Sequence, residues 1–216
     1  MHVPLYKRLV SFLYPVCVER RFSSIHPVLD LYLHRNQWQL ATDDSIYSDG
    51  RRYRPLLSAF KKIRKKLSGV NNVLVLGTGL GSAVHILEHM GLHPAYTLVE
   101  LDNTVLKMAI ELMPRNRLRR INPVCMDAEI FMHTIKPRYQ LIICDVFINR
   151  DVPAFVPSIT FLEECKKTLQ PSGNFILNYI EKSKTATSEL RQLMDNAFPG
   201  YSVIEFGINK IFVAAV

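Results

Sequence analysis

The sequence predicts an α/β fold, in which helices cross over a mainly parallel seven-stranded sheet and a small β-hairpin precedes it. Short apolar runs typical of strands alternate with segments whose apolar residues recur at helical spacing. Gly77, Gly79 and Gly81 follow the first run at once, which indicates a tight turn between a strand and a helix. The last two strand-like runs, residues 201–206 and 210–216, are joined by three residues, so they must be antiparallel neighbours.

The hairpin is predicted within residues 25–42. Apolar residues alternate on both sides of a polar centre at residues 34–36, as they do in two strands joined by a short turn. We therefore expect two domains. Residues 1–50 form an N-terminal segment with the hairpin, and residues 51–216 form the sheet domain.

An apolar run at residues 9–18 follows Lys7 and Arg8 near the start of the chain. No small-residue cleavage site comes after it, so it does not match a signal peptide, and it is about half as long as a membrane span. We expect a short amphipathic segment that covers part of the core or an oligomer surface. Peripheral membrane contact is the alternative, without stable membrane insertion.

The composition indicates a chain that folds alone and keeps its thiols reduced. Of its 216 residues 48% are hydrophobic, which is enough for a core. The cysteines are far apart in sequence and form no Cys-x-x-Cys pair. We expect reduced, buried thiols in a cytoplasmic protein, with no disulfide framework and no metal site. These cysteines are Cys17, Cys125, Cys144 and Cys165.

The net charge of +8 is concentrated in residues 51–66, which are predicted to form one basic helix. Leu56, Phe60 and Ile63 belong to an apolar stripe at helical spacing, and basic residues occupy much of the rest. A solvated helix face is the expectation. Nucleic acid is an alternative partner that we do not favour, because only Tyr53 adds a base-stacking aromatic to this stretch.

The remaining elements alternate between strand and helix. Carboxyl ends of parallel strands gather at one edge of such a sheet, where open α/β sheets bind ligands. Prolines and glycines, such as Pro114 and Gly173, separate the elements. Strands are predicted at residues 73–76, 95–101, 121–126, 139–144, 174–180, 201–206 and 210–216, and helices at residues 83–90, 103–113, 128–134, 158–169 and 184–197.

The glycine turn is suited to a nucleoside. Glycines let a ligand approach the backbone closely, and free N–H groups at the helix start present partial positive charge. Glu100 ends the second strand, 23 residues after Gly77, where its carboxylate can accept both hydrogen bonds of a ribose diol. The dinucleotide fingerprint needs a glycine at the position of Ser82, so NAD is not favoured. A turn that only packs helix on strand is the alternative.

This glycine pattern, followed by an acid at the end of the second strand, resembles the first two motifs of the class I S-adenosylmethionine-dependent methyltransferases. The predicted seven strands with a closing antiparallel hairpin likewise resemble the Rossmann-like seven-stranded sheet of these methyltransferases. The resemblance implies that the chain binds S-adenosylmethionine or its decarboxylated form.

Acids end three of the predicted strands. Glu100 would hold the ribose, and Asp127 with the backbone of Ala128 would accept from the adenine amino group. Asp145 would face the amino acid end of the donor or the acceptor, and a cationic sulfonium favours negative charge nearby. The predicted donor-binding residues are Gly77, Thr78, Gly79, Gly81, Glu100, Leu101, Asp127, Ala128 and Asp145.

A closer resemblance covers the chain from about residue 25 onward. The hairpin, SIYSDGRRYRPLL, VLVLGTGLGS, VELD, MDAEIFM and ICDVF follow one another as do the β-domain, Tyr-His-Glu, glycine-turn, Glu-Ile-Asp, Asp-Ala and Asp-Ser-Ser-Asp motifs of the spermidine synthase family. Tyr47, Ser48 and Asp49 fall on the Tyr-His-Glu segment of these polyamine aminopropyltransferases. The resemblance implies a small-molecule acceptor, an amine among the candidates, and a homodimer through the hairpin.

The acids on the acceptor side depart from that family. Leu80 occupies the position of the glycine-turn aspartate and Ile148 the last position of the Asp-Ser-Ser-Asp loop. Aminopropyl transfer calls for several carboxylates to hold and deprotonate an amine. We therefore expect methyl transfer first, aminopropyl transfer as the alternative and a non-catalytic nucleoside-binding protein as the second alternative. Asp145, Asp49 and Tyr47 are the candidate catalytic residues around the acceptor.

Overall fold

The computed structural model describes residues 3–42, 46–148 and 151–216. The strands are β1 (Val16–Arg21), β2 (Leu29–His34), β3 (Gln37–Ala41), β4 (Ile46–Ser48), β5 (Asn72–Leu76), β6 (Ala95–Glu100), β7 (Ile121–Cys125), β8 (Tyr139–Cys144), β9 (Leu169–Ile180), β10 (Ser202–Phe206) and β11 (Asn209–Ala215). The helices are α1 (Leu5–Val10), α2 (Arg54–Lys62), α3 (Ser82–His89), α4 (Asn103–Leu112), α5 (Ala128–Thr134), α6 (Ile159–Thr168) and α7 (Lys184–Ala197).

Seven strands form one sheet in the order β10-β11-β9-β8-β5-β6-β7. β5 pairs in parallel with β6 on one side and with β8 on the other, so the order of strands reverses at β5. β11 is antiparallel to both β9 and β10. The predicted fold class, with its closing antiparallel pair, is confirmed. A ligand crevice is expected beyond the carboxyl ends of β5 and β8.

β5 shows why this sheet is buried on both faces. Alternate residues of a strand point to opposite sides. Leu74 and Leu76 pack into the core on one side of the sheet, and Val73 and Val75 pack into the core on the other. The apolar run of β5 is unbroken because helices cover both faces of the sheet, so side chains on either side of the strand are buried.

The N-terminal part is a four-stranded antiparallel sheet, larger than the predicted hairpin. β2 and β3 form that hairpin, with Arg35 and Asn36 at positive φ in its turn. β1 escaped prediction because its register shifts between Cys17 and Glu19, which interrupts the alternation, and β4 has only three residues. This sheet packs on the larger one through Leu29, Leu31, Leu40, Leu80, Val105 and Met108.

The basic stretch is not the single helix that the sequence predicts. A 3₁₀ turn, Gly50–Arg52, is followed by Tyr53 in an extended conformation, and α2 then begins. Pro55 explains the break, because it has no N–H to bond the carbonyl of residue 51 but fits the first turn of a new helix. Leu56 and Phe60 are buried on the apolar face, as predicted. The break frees the side chain of Tyr53 for the crevice.

Two of the four cysteines are exposed, contrary to the prediction that all are buried. Cys144 and Cys165 are buried, whereas Cys17 and Cys125 are exposed free thiols. The exposed pair belongs to β1 and β7, which are edge strands of their sheets and have less cover. Within the part of the chain that the structure describes, no helix combines the length and apolar character that crossing a bilayer demands.

Candidate active site

The glycine turn brings the carboxyl ends of β5 and β8 into contact. Gly77 has φ +80°, and a Cβ at this position would lie 2.3 Å from the carbonyl oxygen of Asp145, so only glycine fits. The N–H of Gly79 donates to Glu100 Oε2 at 3.0 Å. Gly81 precedes α3 and caps it with a left-handed conformation. The turn is thus tied to two neighbouring strands.

Glu100 is held at the rim of the crevice by backbone groups. Its residue is 4% exposed, and the N–H of Asp102 donates to Oε1 at 3.2 Å while Gly79 donates to Oε2. Burial raises the pKa of Glu100, and these backbone hydrogen bonds oppose the shift. Each oxygen keeps acceptor capacity for a ligand hydroxyl.

Beyond Glu100 the crevice narrows to a cavity of about 30 Å³. Ala128, at the start of α5, and exposed Leu101 line it together with Asp127. Asp127 also caps α5, because its Oδ1 accepts from the N–H groups of Glu129 and Ile130 at 2.8 and 3.2 Å. The predicted nucleoside-binding residues therefore meet here. The space is about that of one water molecule, so a nucleobase requires this cavity to open.

The N-terminal sheet contributes a residue that the sequence analysis missed. His26 is 3% exposed, lines the narrow cavity, and its Nδ1 lies 3.0 Å from Asp102 Oδ2. Burial alone would raise the pKa of Asp102, but hydrogen bonds from His26, Ser23 and two backbone N–H groups hold it below its ordinary value. His26 Nδ1 therefore donates, which leaves Nε2 as an acceptor in the neutral ring. Nε2 is buried without a hydrogen-bond partner among the described residues.

A larger cavity of about 550 Å³ lies on the other side of the glycine turn and shares Tyr47, Gly77 and Phe147 with the narrow one. This volume is enough for a small molecule. Its polar lining residues include Ser48, Thr78 and Asp145. Apolar side chains form much of the remainder, among them Leu56, Val75, Phe147, Ile180 and Ile208.

Asp145 is the one charged side chain among the described residues that line this larger cavity. Its Oδ1 accepts from the hydroxyl of Tyr53 at 3.0 Å and from Nδ2 of Asn178 at 2.8 Å. Asn209 in turn donates to Asn178 Oδ1 at 3.0 Å. Burial raises the pKa of Asp145 to about 6, although both hydrogen bonds oppose the shift. At neutral pH the group is a carboxylate that can accept a proton.

Tyr53, Asn178 and Asn209 are site residues that the sequence does not predict. Only Asn178 has a local signal, as an amide within an apolar, strand-like run, and the structure shows it fully buried in β9. Buried amides need partners, so an amide in an apolar strand indicates a polar network. Tyr53 gave no such signal, because its role depends on the break between two helical segments.

The other two candidate catalytic residues lie in different surroundings. Tyr47 lies between the two cavities, and burial raises the pKa of its phenol, so it stays a neutral donor. Asp49 is engaged elsewhere. Its Oδ1 accepts from Gln39 Nε2 at 2.7 Å and from Arg52 Nη2 at 3.1 Å, and it is outside the described lining of both cavities.

Two positions depart from the polyamine pattern: Leu80 is buried in an apolar core, and Ile148 is exposed. Leu80 is 1% exposed and packs in the core beneath the N-terminal sheet. Ile148 forms an isolated bridge with Asp151, whose carboxylate pairs with Lys182 at 2.8 Å. Neither supplies an acid to the larger cavity. Across the described residues, no group of three or more His, Cys, Asp or Glu side chains is arranged to hold a metal ion.

Comparison with known proteins agrees with this architecture. The family model of the spermine/spermidine synthase domain matches residues 52–207. A probable spermidine synthase from Corynebacterium glutamicum has a TM-score of 0.73 at 18% identity, over 94% of this chain and 80% of that one. The spermidine synthase from Thermotoga maritima has a TM-score of 0.70 at 16% identity, over 92% of this chain and 72% of that one.

Human methyltransferase-like protein 13, solved in complex with SAH, has a TM-score of 0.61 at 22% identity, over 74% of this chain and 78% of that one. At these identities the solved structures establish a shared fold. No curated protein sequence is significantly similar to this chain.

Proposed function

This chain belongs to the spermine/spermidine synthase domain family, and we propose that it transfers an aminopropyl group from decarboxylated S-adenosylmethionine to the nitrogen of an amine. The proposal reverses the order that the sequence favours, in which methyl transfer comes first. The observation that carries it is the half-buried Asp145 carboxylate, placed beside the glycine turn in a cavity large enough for an amine.

The polar groups around the narrow cavity, which we call the donor half of the crevice, suit an adenosyl group. The ribose would lie at Glu100, where both carboxylate oxygens retain acceptor capacity. The adenine would lie beside Asp127 and Ala128. His26 Nε2 would accept from a hydroxyl or amino group of the donor, which would give this buried nitrogen its missing partner. Binding would widen the narrow cavity.

Asp145 favours the decarboxylated form of the donor. The described lining of the larger cavity contains this carboxylate and no lysine or arginine. An ammonium group on the transferred arm gains an opposite charge there. The carboxylate of S-adenosylmethionine itself would instead meet repulsion from Asp145.

The same carboxylate can prepare the acceptor. An ammonium group must lose a proton before its nitrogen can attack, and Asp145 with a pKa of about 6 can accept that proton near neutral pH and pass it to water. The nitrogen lone pair then attacks the methylene carbon next to sulfur. A C–N bond forms, the C–S bond breaks, and its electron pair stays on sulfur, which leaves neutral methylthioadenosine. Tyr53 and Asn178 hold Asp145 in place through this sequence.

The product distinguishes the two reactions. Purified protein is incubated with either donor and a panel of amines, and the nucleosides are separated by mass spectrometry. Aminopropyl transfer releases methylthioadenosine from the decarboxylated donor, whereas methyl transfer releases S-adenosylhomocysteine from S-adenosylmethionine. Amine-dependent methylthioadenosine supports the proposal. Acceptor-dependent S-adenosylhomocysteine alone contradicts it.

Methyl transfer is the second candidate, and Leu80 is the observation that favours it. This side chain lies in an apolar core where the polyamine pattern has an acid, so one amine-holding group is lost. Methyl transfer needs mainly an aligned acceptor and makes fewer demands on carboxylates. Tight binding of either donor without any product would instead favour the non-catalytic alternative.

A further inference from the structure

The segment from Leu5 to Tyr14 exposes an unusual amount of apolar surface. Six large side chains in these ten residues are between 57% and 83% exposed. Soluble monomers rarely leave a large apolar surface uncovered without a binding role. The patch consists of Leu5, Tyr6, Leu9, Phe12, Leu13 and Tyr14, and we refer to it as the N-terminal apolar surface.

The segment is fixed to the sheet rather than frayed. Ser11 is fully buried, its carbonyl accepts from the N–H of Arg35 at 2.6 Å, and its hydroxyl accepts from the N–H of Asn36 at 3.0 Å. These contacts join the residue after α1 to the turn between β2 and β3. The apolar side chains are therefore presented outward by an anchored backbone.

The charged side chains of this segment and of the adjacent turn are all basic. Lys7 and Arg8 lie within it, Arg35 is exposed in the adjacent turn, and residues 1–18 contain no Asp or Glu. The nearest carboxylate along the chain, Glu19, is already paired with Arg21 at 2.8 Å. A partner must therefore offer both an apolar region that these side chains can enter and negative charge.

We propose that the N-terminal apolar surface binds the interface of an anionic lipid bilayer. Leucines and phenylalanine enter the boundary between headgroups and acyl chains, while Tyr6 and Tyr14 lie at headgroup level, as aromatic side chains do in membrane interfaces. Lys7, Arg8 and Arg35 contact anionic headgroups. Binding is peripheral and does not depend on the reaction in the crevice.

A second copy of the chain fits this surface less well. A two-fold interface would place the same patch on both sides, so one basic patch would face another. With no acid in residues 1–18 to compensate, this arrangement brings like charges together. An anionic bilayer satisfies both the apolar and the cationic groups.

The position of the surface leaves the crevice open. α1 is joined to the turn at Arg35 and Asn36, whereas Ala41, at the other end of β3, lines the larger cavity. Over the length of β3 these two ends are about 13 Å apart at the rise of an extended strand. The anchor of α1 and the larger cavity therefore lie at opposite ends of β3.

Vesicle flotation tests this proposal with the full chain. The probes are phosphatidylcholine vesicles with and without phosphatidylglycerol, and the variants are Leu9→Ser with Leu13→Ser, and Lys7→Glu with Arg8→Glu. Two matched controls change other exposed sites, Lys65→Glu with Lys66→Glu for the same charge change and Ile159→Ser with Val216→Ser for apolar area. Thermal unfolding of each variant establishes that it is folded.

We expect at least about tenfold tighter binding to the anionic vesicles, because Lys7, Arg8 and Arg35 are each attracted to the anionic headgroups. Both variants of the surface should lose about tenfold or more of that affinity, and both controls should keep it. Equal losses in the two charge-reversed pairs would mean attraction by net charge alone and would overturn the proposal. A second result would also overturn it. The protein would not bind vesicles, light scattering would detect a dimer, and Leu9→Ser with Leu13→Ser would abolish that dimer.

Discussion

The two proposed halves of the crevice are built in different ways: the donor half around the narrow cavity, and the acceptor half around the larger cavity. In the donor half, the acids are held by backbone N–H groups from nearby elements, Glu100 by the glycine turn and Asp127 by its own helix. In the acceptor half, Asp145 is held by the side chains of Tyr53 and Asn178, which are 92 and 33 residues away. A site made from backbone groups survives many substitutions. A site made from distant side chains can change one residue at a time.

The two halves also differ in charge. Glu100, Asp127 and Asp102 line the narrow cavity, whereas Asp145 is the one charged side chain in the described lining of the larger cavity. Two further acids, Asp43 and Asp44, lie outside the described residues. Under the proposed function, the donor would be recognised by several acids and the acceptor by Asp145. The variants below separate the two halves.

The largest effect is expected from Asp145→Asn. The amide keeps the shape and a hydrogen-bonding oxygen but can neither accept a proton nor balance an ammonium group, so the rate of transfer should fall about 100-fold or more. The measurement is single-turnover release of the nucleoside product at saturating donor. Calorimetry should also show weaker binding of the decarboxylated donor, because its ammonium group loses the opposite charge of Asp145. Asp151→Asn, an exposed carboxylate six positions away, is the matched control. Similar rates for both variants would refute a role for Asp145.

Gly77→Ala should damage both halves by separating β5 from β8. Its Cβ would lie 2.3 Å from the carbonyl oxygen of Asp145, at a φ of +80° that disfavours alanine. We expect the free energy of unfolding to fall by about 2–4 kcal/mol from overpacking and backbone strain together. Gly200→Ala is the control, because that residue has nearly the same φ with no atom nearby. Equal destabilisation would mean that backbone strain alone acts.

Glu100→Gln should act on the donor half alone. Hydrogen bonds to a charged group contribute about 1.5–3 kcal/mol, so donor affinity should weaken by about 10-fold to 100-fold in calorimetry. The rate of transfer at saturating donor should change much less. Glu129→Gln, an exposed acid in α5, is the control. A loss of rate without a loss of affinity would place Glu100 in the acceptor half.

Tyr53→Phe should shift the pH dependence of the acceptor half. The rate should rise as pH increases through the pKa of Asp145, about 6, because the carboxylate is the active form. The Tyr53 hydroxyl lowers that pKa, so its loss should move the midpoint upward by about one pH unit. Tyr139→Phe, at the opposite end of β8, should leave the profile unchanged. An unshifted midpoint in Tyr53→Phe would contradict this assignment.

Stability should follow the same group with the opposite sense. The pKa of Asp145 is raised from 3.8 to about 6, so the folded state binds the proton more tightly than the unfolded state in that window. The contribution of Asp145 to the free energy of unfolding therefore falls as pH rises from about 4 to about 6. Thermal unfolding of Asp145→Asn should lack this component. An unchanged pH profile would argue against the shifted pKa.

Most of the sheet could be predicted from the sequence because its patterns are local. The bounds of α5, β8 and α7 agree with the sequence prediction, since each has its own apolar periodicity and a capping residue or turn at its end. β1 and β4 could not be predicted. One is broken by a bulge and the other is too short to show alternation. The single basic helix is a wrong prediction, because Pro55 begins a new helix and residues 51–53 lie before it.

In the site, the predictable residues are those next to a strand in the sequence. The glycine turn, Glu100 and Asp127 follow their strands directly, so strand order alone places them at one edge. Only the tertiary structure shows that Asp49 bonds Gln39 and Arg52 outside the cavity lining. It also brings His26 from the N-terminal sheet to the narrow cavity.

By itself, the sequence determined the α/β sheet, the glycine turn and the strand-end acids, because periodicity, turn chemistry and strand ends are properties of neighbouring residues. Only the tertiary structure decided that Tyr53, Asp145 and Asn178 form one network, and that Leu80 lies in the core. These contacts join residues far apart in the chain. Their distances depend on how whole elements pack, which no local pattern encodes.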